Sequence, residues 1–80
     1  MAVRTAISAG LVFEMLEDEV YAMPAPLCNS TVQTAGGTIE VSLDESTWQE
    51  ITPDSNFNFT TSAPYIRVSD DDALIICKAL

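Results

Sequence analysis

The sequence predicts an all-β fold: a small antiparallel β-sandwich or barrel with an extended N-terminal arm. Three observations predict it. Apolar and polar residues alternate with a period of two, most cleanly in Thr38 to Leu43. Turn-forming residues recur about every eight to twelve positions along most of the chain. β-branched and aromatic residues fill the stretches between those turns.

Residues 1–26 form an N-terminal arm or edge strands, and residues 27–80 the antiparallel β-domain. The first segment carries Val3, Ile7, Leu11, Val12, Phe13, Met15, Leu16, Val20, Tyr21 and Met23, interrupted by Glu14 and by Glu17-Asp18-Glu19. A helix over about Ala9 to Glu19 is conceivable, because Val12, Met15 and Leu16 share a helical face. Glu19 falls where that stripe should continue, and the β-branched content favours strands near Arg4 to Ser8 and Leu11 to Leu16. Pro24 and Pro26 then stiffen an extended connector. Such a terminal segment is either an ordinary edge or an arm that pairs with a neighbouring subunit.

Leu27 to Thr34 reads as a strand ending at Ala35-Gly36-Gly37, where paired glycines supply the positive φ of a tight hairpin. In Thr38 to Leu43, Ile39, Val41 and Leu43 point inward, and Thr38, Glu40 and Ser42 outward. Asp44-Glu45-Ser46 is a turn in which Asp44 caps its own backbone. Thr47 to Ile51 returns as the next strand. Trp48 and Ile51 are three residues apart and cannot share a face of a regular strand. Either a bulge re-aims one of them, or Trp48 covers the sheet edge.

Pro53 to Asn56 is a further turn, after which Phe57 and Phe59 alternate with Asn58 and Thr60 in a half-buried strand. Ser62-Ala63-Pro64 connects to Tyr65 to Ser69, with Ile66 and Val68 on one face and Tyr65 and Arg67 on the other. Asp70-Asp71-Asp72 turns the chain into Ala73 to Leu80. That last stretch is apolar on both faces (Leu74, Ile75, Ile76, Cys77), as in a central strand or an edge covered by another subunit.

Eighty residues make one domain, and so short a chain buries only about 60–65% of its unfolded surface. A hydrophobic content of 48% is generous for that size and places some apolar side chains at subunit contacts. The formal net charge is −9, with only Arg4, Arg67 and Lys78 as bases. That sign opposes binding to nucleic acid or to an anionic membrane surface. It suits solubility and docking on a basic protein surface. The N-terminal apolar run is too short and mixed for a secretory signal, so synthesis in a cytoplasm is expected. In that compartment Cys28 and Cys77 are buried free thiols rather than a bridge.

Histidine is absent, which removes the commonest general base and metal ligand. No Cys-x-x-Cys and no glycine-rich phosphate loop occurs. Asp70-Asp71-Asp72 lacks the spacing and the glycine of a calcium loop and reads as a solvated turn. No catalytic, cofactor-binding or metal residue is therefore assigned, and the chain is not expected to be an enzyme. Trp48, Tyr65, Tyr21, Phe57 and Phe59 fit core or interface anchors, or an aromatic platform for sugar. Arg67 points the same way as Tyr65 and can pair with a carboxylate across the sheet or between subunits.

Glu-Val-Ser-Leu-Asp (residues 40–44), Thr-Trp-Gln-Glu-Ile (47–51), Phe-Thr-Thr (59–61) and Ala-Pro-Tyr-Ile-Arg-Val (63–68) precede an Asp-rich turn and a last apolar strand. That run resembles small structural proteins of tailed bacteriophages, namely capsid decoration (cement) or head and tail accessory proteins. The resemblance covers a little under half the chain. It departs from the usual pattern in carrying Glu45-Ser46 where a glycine is more common. It implies a virion protein on the outer capsid surface, made in the host cytoplasm. Its partners would be the major capsid protein and further copies of itself, as a trimer or else a dimer. No cofactor and no catalytic residue is implied. The interface residues expected for such a role are Val3, Ile7, Leu11 and Phe13 in the arm, with Trp48, Tyr65 and Arg67 in the β-domain. A carbohydrate-binding or tail/neck accessory module is the rival reading.

Overall fold

Strands form wherever the two-residue alternation can bury one face, and here they form two sheets packed face to face. The computed structural model describes residues 5–80. The described chain is all-β, with no helix. Nine strands run in order: β1 (Thr5–Ala6), β2 (Val12–Met15), β3 (Val20–Ala22), β4 (Cys28–Thr34), β5 (Thr38–Ser42), β6 (Gln49–Ile51), β7 (Asn58–Thr61), β8 (Tyr65–Ser69) and β9 (Ala73–Ala79). One sheet has the order β1-β3-β8-β5-β6 and the other β2-β9-β4-β7. Every pairing of named strands is antiparallel except β1 with β3. The fold is a small β-sandwich.

The core fills the gap between the sheets. Tyr21, Ile39, Val41, Ile66 and Val68 enter it from the first sheet. Met15, Cys28, Val32, Phe59, Ala73, Ile75 and Cys77 enter from the second. Ile7, Met23 and Ala63 fill it from segments that cross between the sheets. Cys28 and Cys77 are free and buried. Burial pushes the Cys77 thiol up, against the hydrogen bond from Ser30 Oγ at 3.3 Å.

The segment read as an arm or edge strands is built into both sheets over its described part. β1 and β2 are edges, while β3 lies between β1 and β8. β3 falls between the strand expected near Leu11 to Leu16 and the connector at Pro24 and Pro26, where the sequence pattern marked no separate strand. Val20 and Tyr21 make it a strand because Tyr21 pairs with Ile66 and fills the core with a ring that is 7% exposed.

The expected hairpin at Ala35-Gly36-Gly37 is not one. β4 belongs to the second sheet and β5 to the first, so residues 35–37 arch across the sandwich. Neither glycine takes positive φ; among the described glycines, Gly10 does, at 77°. Gly37 is needed for room instead. A Cβ there would lie 2.7 Å from Val68 Cγ2 and 2.9 Å from the Ser69 carbonyl oxygen.

β5 and β6 do form the expected hairpin, and Asp44 Oδ1 caps it by accepting the amides of Ser46 and Thr47. Ile39 and Val41 point inward as expected, but Leu43 does not: it is 76% exposed. The strand ends one residue earlier, because Ser42 Oγ accepts the amides of Asp44 and Glu45 and bends the chain there. Ser42 is buried beneath that turn rather than facing outward. Phe57 also leaves the expected alternation. It stands before β7 at φ 65°, half-exposed, and Phe59 alone of the two enters the core.

Candidate functional site: the outer faces of the two sheets

The outer face of the first sheet gathers three of the residues singled out in the sequence. Ile66 and Val68 point into the core, so Tyr65, Arg67 and Ser69 of β8 point out. Register places Glu40 of β5 opposite Arg67. Arg67 Nε donates to Glu40 Oε1 at 3.1 Å, and Ser69 Oγ donates to the same oxygen at 2.8 Å. The Arg67 guanidinium lies 4.1 Å from the centroid of the Trp48 ring, a cation–π contact. The conflict between Trp48 and Ile51 is thereby settled. Ile51 is in β6 and packs against the core. Trp48 precedes β6 and lies outside, under Arg67, with no bulge required.

The hydrogen bonds from Arg67 and then from Ser69 hold the Glu40 carboxyl below its ordinary value of 4.5. A carboxylate with a depressed pKa stabilises the fold above its unfolded-state value, and that contribution disappears as pH falls through the folded-state value. Wild type is therefore expected to be more stable than Glu40→Gln at neutral pH, with the gap closing below about pH 4.5. Urea midpoints of both proteins across that range check it, and a gap independent of pH would contradict it. Asp44 is held low in the same direction, chiefly by the amides of Thr47 and Ser46. It is common to both proteins and cancels in the comparison.

The outer face of the second sheet is different in kind. β9 lies between β2 and β4 and places Leu74, Ile76 and Lys78 outward. Val12 pairs with Ile76, and Glu14 with Leu74. Thr31 and Gln33 of β4 flank the same two β9 residues. Val12 is 64% and Leu74 46% exposed, and together with Ile76, Thr31 and Gln33 they line a shallow depression of about 150 Å³. Leu11 and Leu16, at either end of β2, are exposed as well. β9 is thus apolar on both faces for two reasons: its inner face is core and its outer face is an uncovered apolar strip.

The seven expected interface residues divide accordingly. Trp48, Tyr65 and Arg67 share the first sheet's outer face, each half-buried. Leu11 lies beside the second sheet's apolar strip. Phe13 points inward, packed edge-on against Tyr21 with centroids 5.3 Å apart. Ile7 offers no surface at all, being 1% exposed with its amide bonded to the Ala22 carbonyl. Val3 lies outside the described residues. Val12, Leu74 and Ile76 were not expected at an interface, although the doubly apolar last strand was a signal that marked Leu74 and Ile76.

Among the described residues, no group of three or more His, Cys, Asp or Glu is arranged to hold a metal ion. No described helix is long and apolar enough to cross a membrane. Comparison with known protein families, with curated proteins and with solved structures returned no match.

Proposed function

We propose that this chain is a structural binding module of a virion, of the capsid decoration (cement) kind, which associates with itself and docks on the major capsid protein at the outer surface of the head. The uncovered strip of Val12, Leu74 and Ile76 on an otherwise ordinary sheet face carries the reading. The resemblance of residues 40–51 and 57–78 to tailed-phage structural proteins supplies the setting. The acidity, with its formal charge of −9, supports a protein partner rather than the packaged genome. The mechanism is adhesion. Apolar side chains are withdrawn from water between subunits at about 25 cal/mol per Å², and no bond is made or broken. A trimer is the assembly favoured for a site where capsid subunits meet, with a dimer as the alternative. The rival sugar-binding reading has less support, because the Arg67 guanidinium occupies one face of the Trp48 ring, the best candidate platform.

Sedimentation of the wild type and of Leu74→Glu tests the proposal. The wild type is expected to sediment as an oligomer at micromolar concentrations. The variant is expected to be a folded monomer and to bind head shells at reduced occupancy. A monomeric wild type, or a variant with unchanged assembly, would remove the self-association. Unchanged shell occupancy in a monomeric variant would detach docking from this strip.

A further inference from the structure

At the opposite edge of the sandwich, β6 ends the first sheet, and a groove of about 350 Å³ opens between it, β4 and the 52–57 turn that leads into β7. Its floor is the core itself: Val32 from β4, Ile39 from β5 and Ile51 from β6. Phe57 forms its lip and is 53% exposed.

Phe57 is the unusual residue. It holds φ at 65°, in the left-handed region where a bulky side chain crowds the backbone. Asp54 enforces that geometry. Its carbonyl accepts the Phe57 amide at 2.9 Å, and its Oδ1 accepts the amides of Asn56 and Asn58. The Phe57 carbonyl in turn accepts the Val32 amide at 2.9 Å. A ring left half in water recovers little burial in return for this strain. Strain that the surroundings enforce without a folding benefit points to a binding role. The groove is within the size range of ligand sites, about 300–1,000 Å³. The charged residues along it, Glu50 on the β6 edge and Asp54 in the following turn, are both acidic, and no described Lys or Arg lines it.

We infer that this groove is a second docking site, for an extended polypeptide segment of a partner protein whose apolar side chains are flanked by Lys or Arg. The apolar side chains occupy the floor beside Phe57, and the flanking cations meet Glu50 and Asp54. A second copy of this chain fits less well, because symmetric contact here would bring the two acidic rims together. The inference is independent of the self-association proposed for the β2–β9 face and uses none of its residues.

The test is a titration of isotope-labelled protein with two acetylated peptides, Lys-Leu-Val-Leu-Lys and Glu-Leu-Val-Leu-Glu, followed by amide shifts. The basic peptide is expected to move the amides of Val32, Ile39, Glu50, Ile51 and Phe57, and the acidic peptide to move none. Phe57→Asn, which tolerates the left-handed backbone, is expected to raise Tm by about 2–5 °C and to weaken the basic peptide about tenfold. Glu50→Gln, which keeps the shape but removes the charge opposite Glu40, is expected to weaken it without lowering Tm. No shift at about 1 mM basic peptide, equal binding of both peptides, or shifts confined to the β2–β9 face would overturn the inference. A fall in Tm for Phe57→Asn would also overturn it, by making Phe57 an ordinary packing residue. So would groove amides already protected in an oligomer without peptide, which would give the groove to a second copy.

Discussion

Replacing Ile66 by alanine is expected to cost about 3–4 kcal/mol of unfolding free energy. Ile66 is fully buried in β8, between Tyr21 of β3 and Val41 of β5. Truncation removes three carbons from water-free packing and leaves a cavity that two flanking strands cannot collapse without losing register. Domains of this length hold roughly 4–12 kcal/mol in total, so the variant is left marginal or unfolded at physiological temperature. Leu43→Ala is the control. That side chain is 76% exposed beyond the end of β5, and its loss is expected to change stability by less than about 0.5 kcal/mol. Urea unfolding of the pair gives both numbers. Equal losses would mean that the sandwich interior is not where the structure places it.

The second large effect concerns a pair of neighbours identical in sequence. Gly37→Ala is expected to destabilise by about 2 kcal/mol, and Gly36→Ala to be neutral or slightly stabilising. A Cβ on Gly37 meets Val68 Cγ2 at 2.7 Å, Thr34 Oγ1 at 2.8 Å and the Ser69 carbonyl oxygen at 2.9 Å. None of the three can retreat cheaply. Val68 is core, Thr34 Oγ1 donates to the Asp72 carbonyl and accepts the Gly37 amide, and Ser69 is paired with Thr38. A Cβ on Gly36 meets nothing within 4 Å. Thermal midpoints of the two single variants check the contrast, and equal shifts would contradict it.

Most strands were legible in the sequence because two-residue alternation and turn residues report directly on local geometry. Ile39 and Val41, Ile66 and Val68, and the Asp44 turn all lie as expected. The pairing of strands was less legible. Ala35-Gly36-Gly37 is chemically as suitable for an arch between sheets as for a hairpin within one, and only the partners of β4 and β5 distinguish the two. Leu43 followed the alternation in sequence, but the hydroxyl of Ser42 ended the strand before it. The candidate site was legible in half. Arg67 pointing with Tyr65 toward a cross-strand carboxylate follows from alternation, and Glu40 is that carboxylate. The exposed strip required knowing that β9 is central yet uncovered outside, which depends on the order of all four strands. The strained Phe57 was hidden because backbone φ there is set by Asp54, not by phenylalanine.

The order of strands also sets a timetable. Among the described strands, β5–β6 is the one pairing that joins consecutive strands; β1 pairs with β3 across one intervening strand, and the rest link more distant parts of the chain. β9 is the last strand in sequence and sits between β2 and β4. Until residues 73–79 have left the ribosome, β2 has no partner within the second sheet, and β4 has only β7. The second sheet therefore cannot close before residues 73–79 are available to it. Pairing at such separations is slow, on the order of milliseconds to seconds. Through that interval the apolar strands near the N-terminus wait uncovered, and the surplus of negative charge that suits the finished protein also keeps unfinished chains apart.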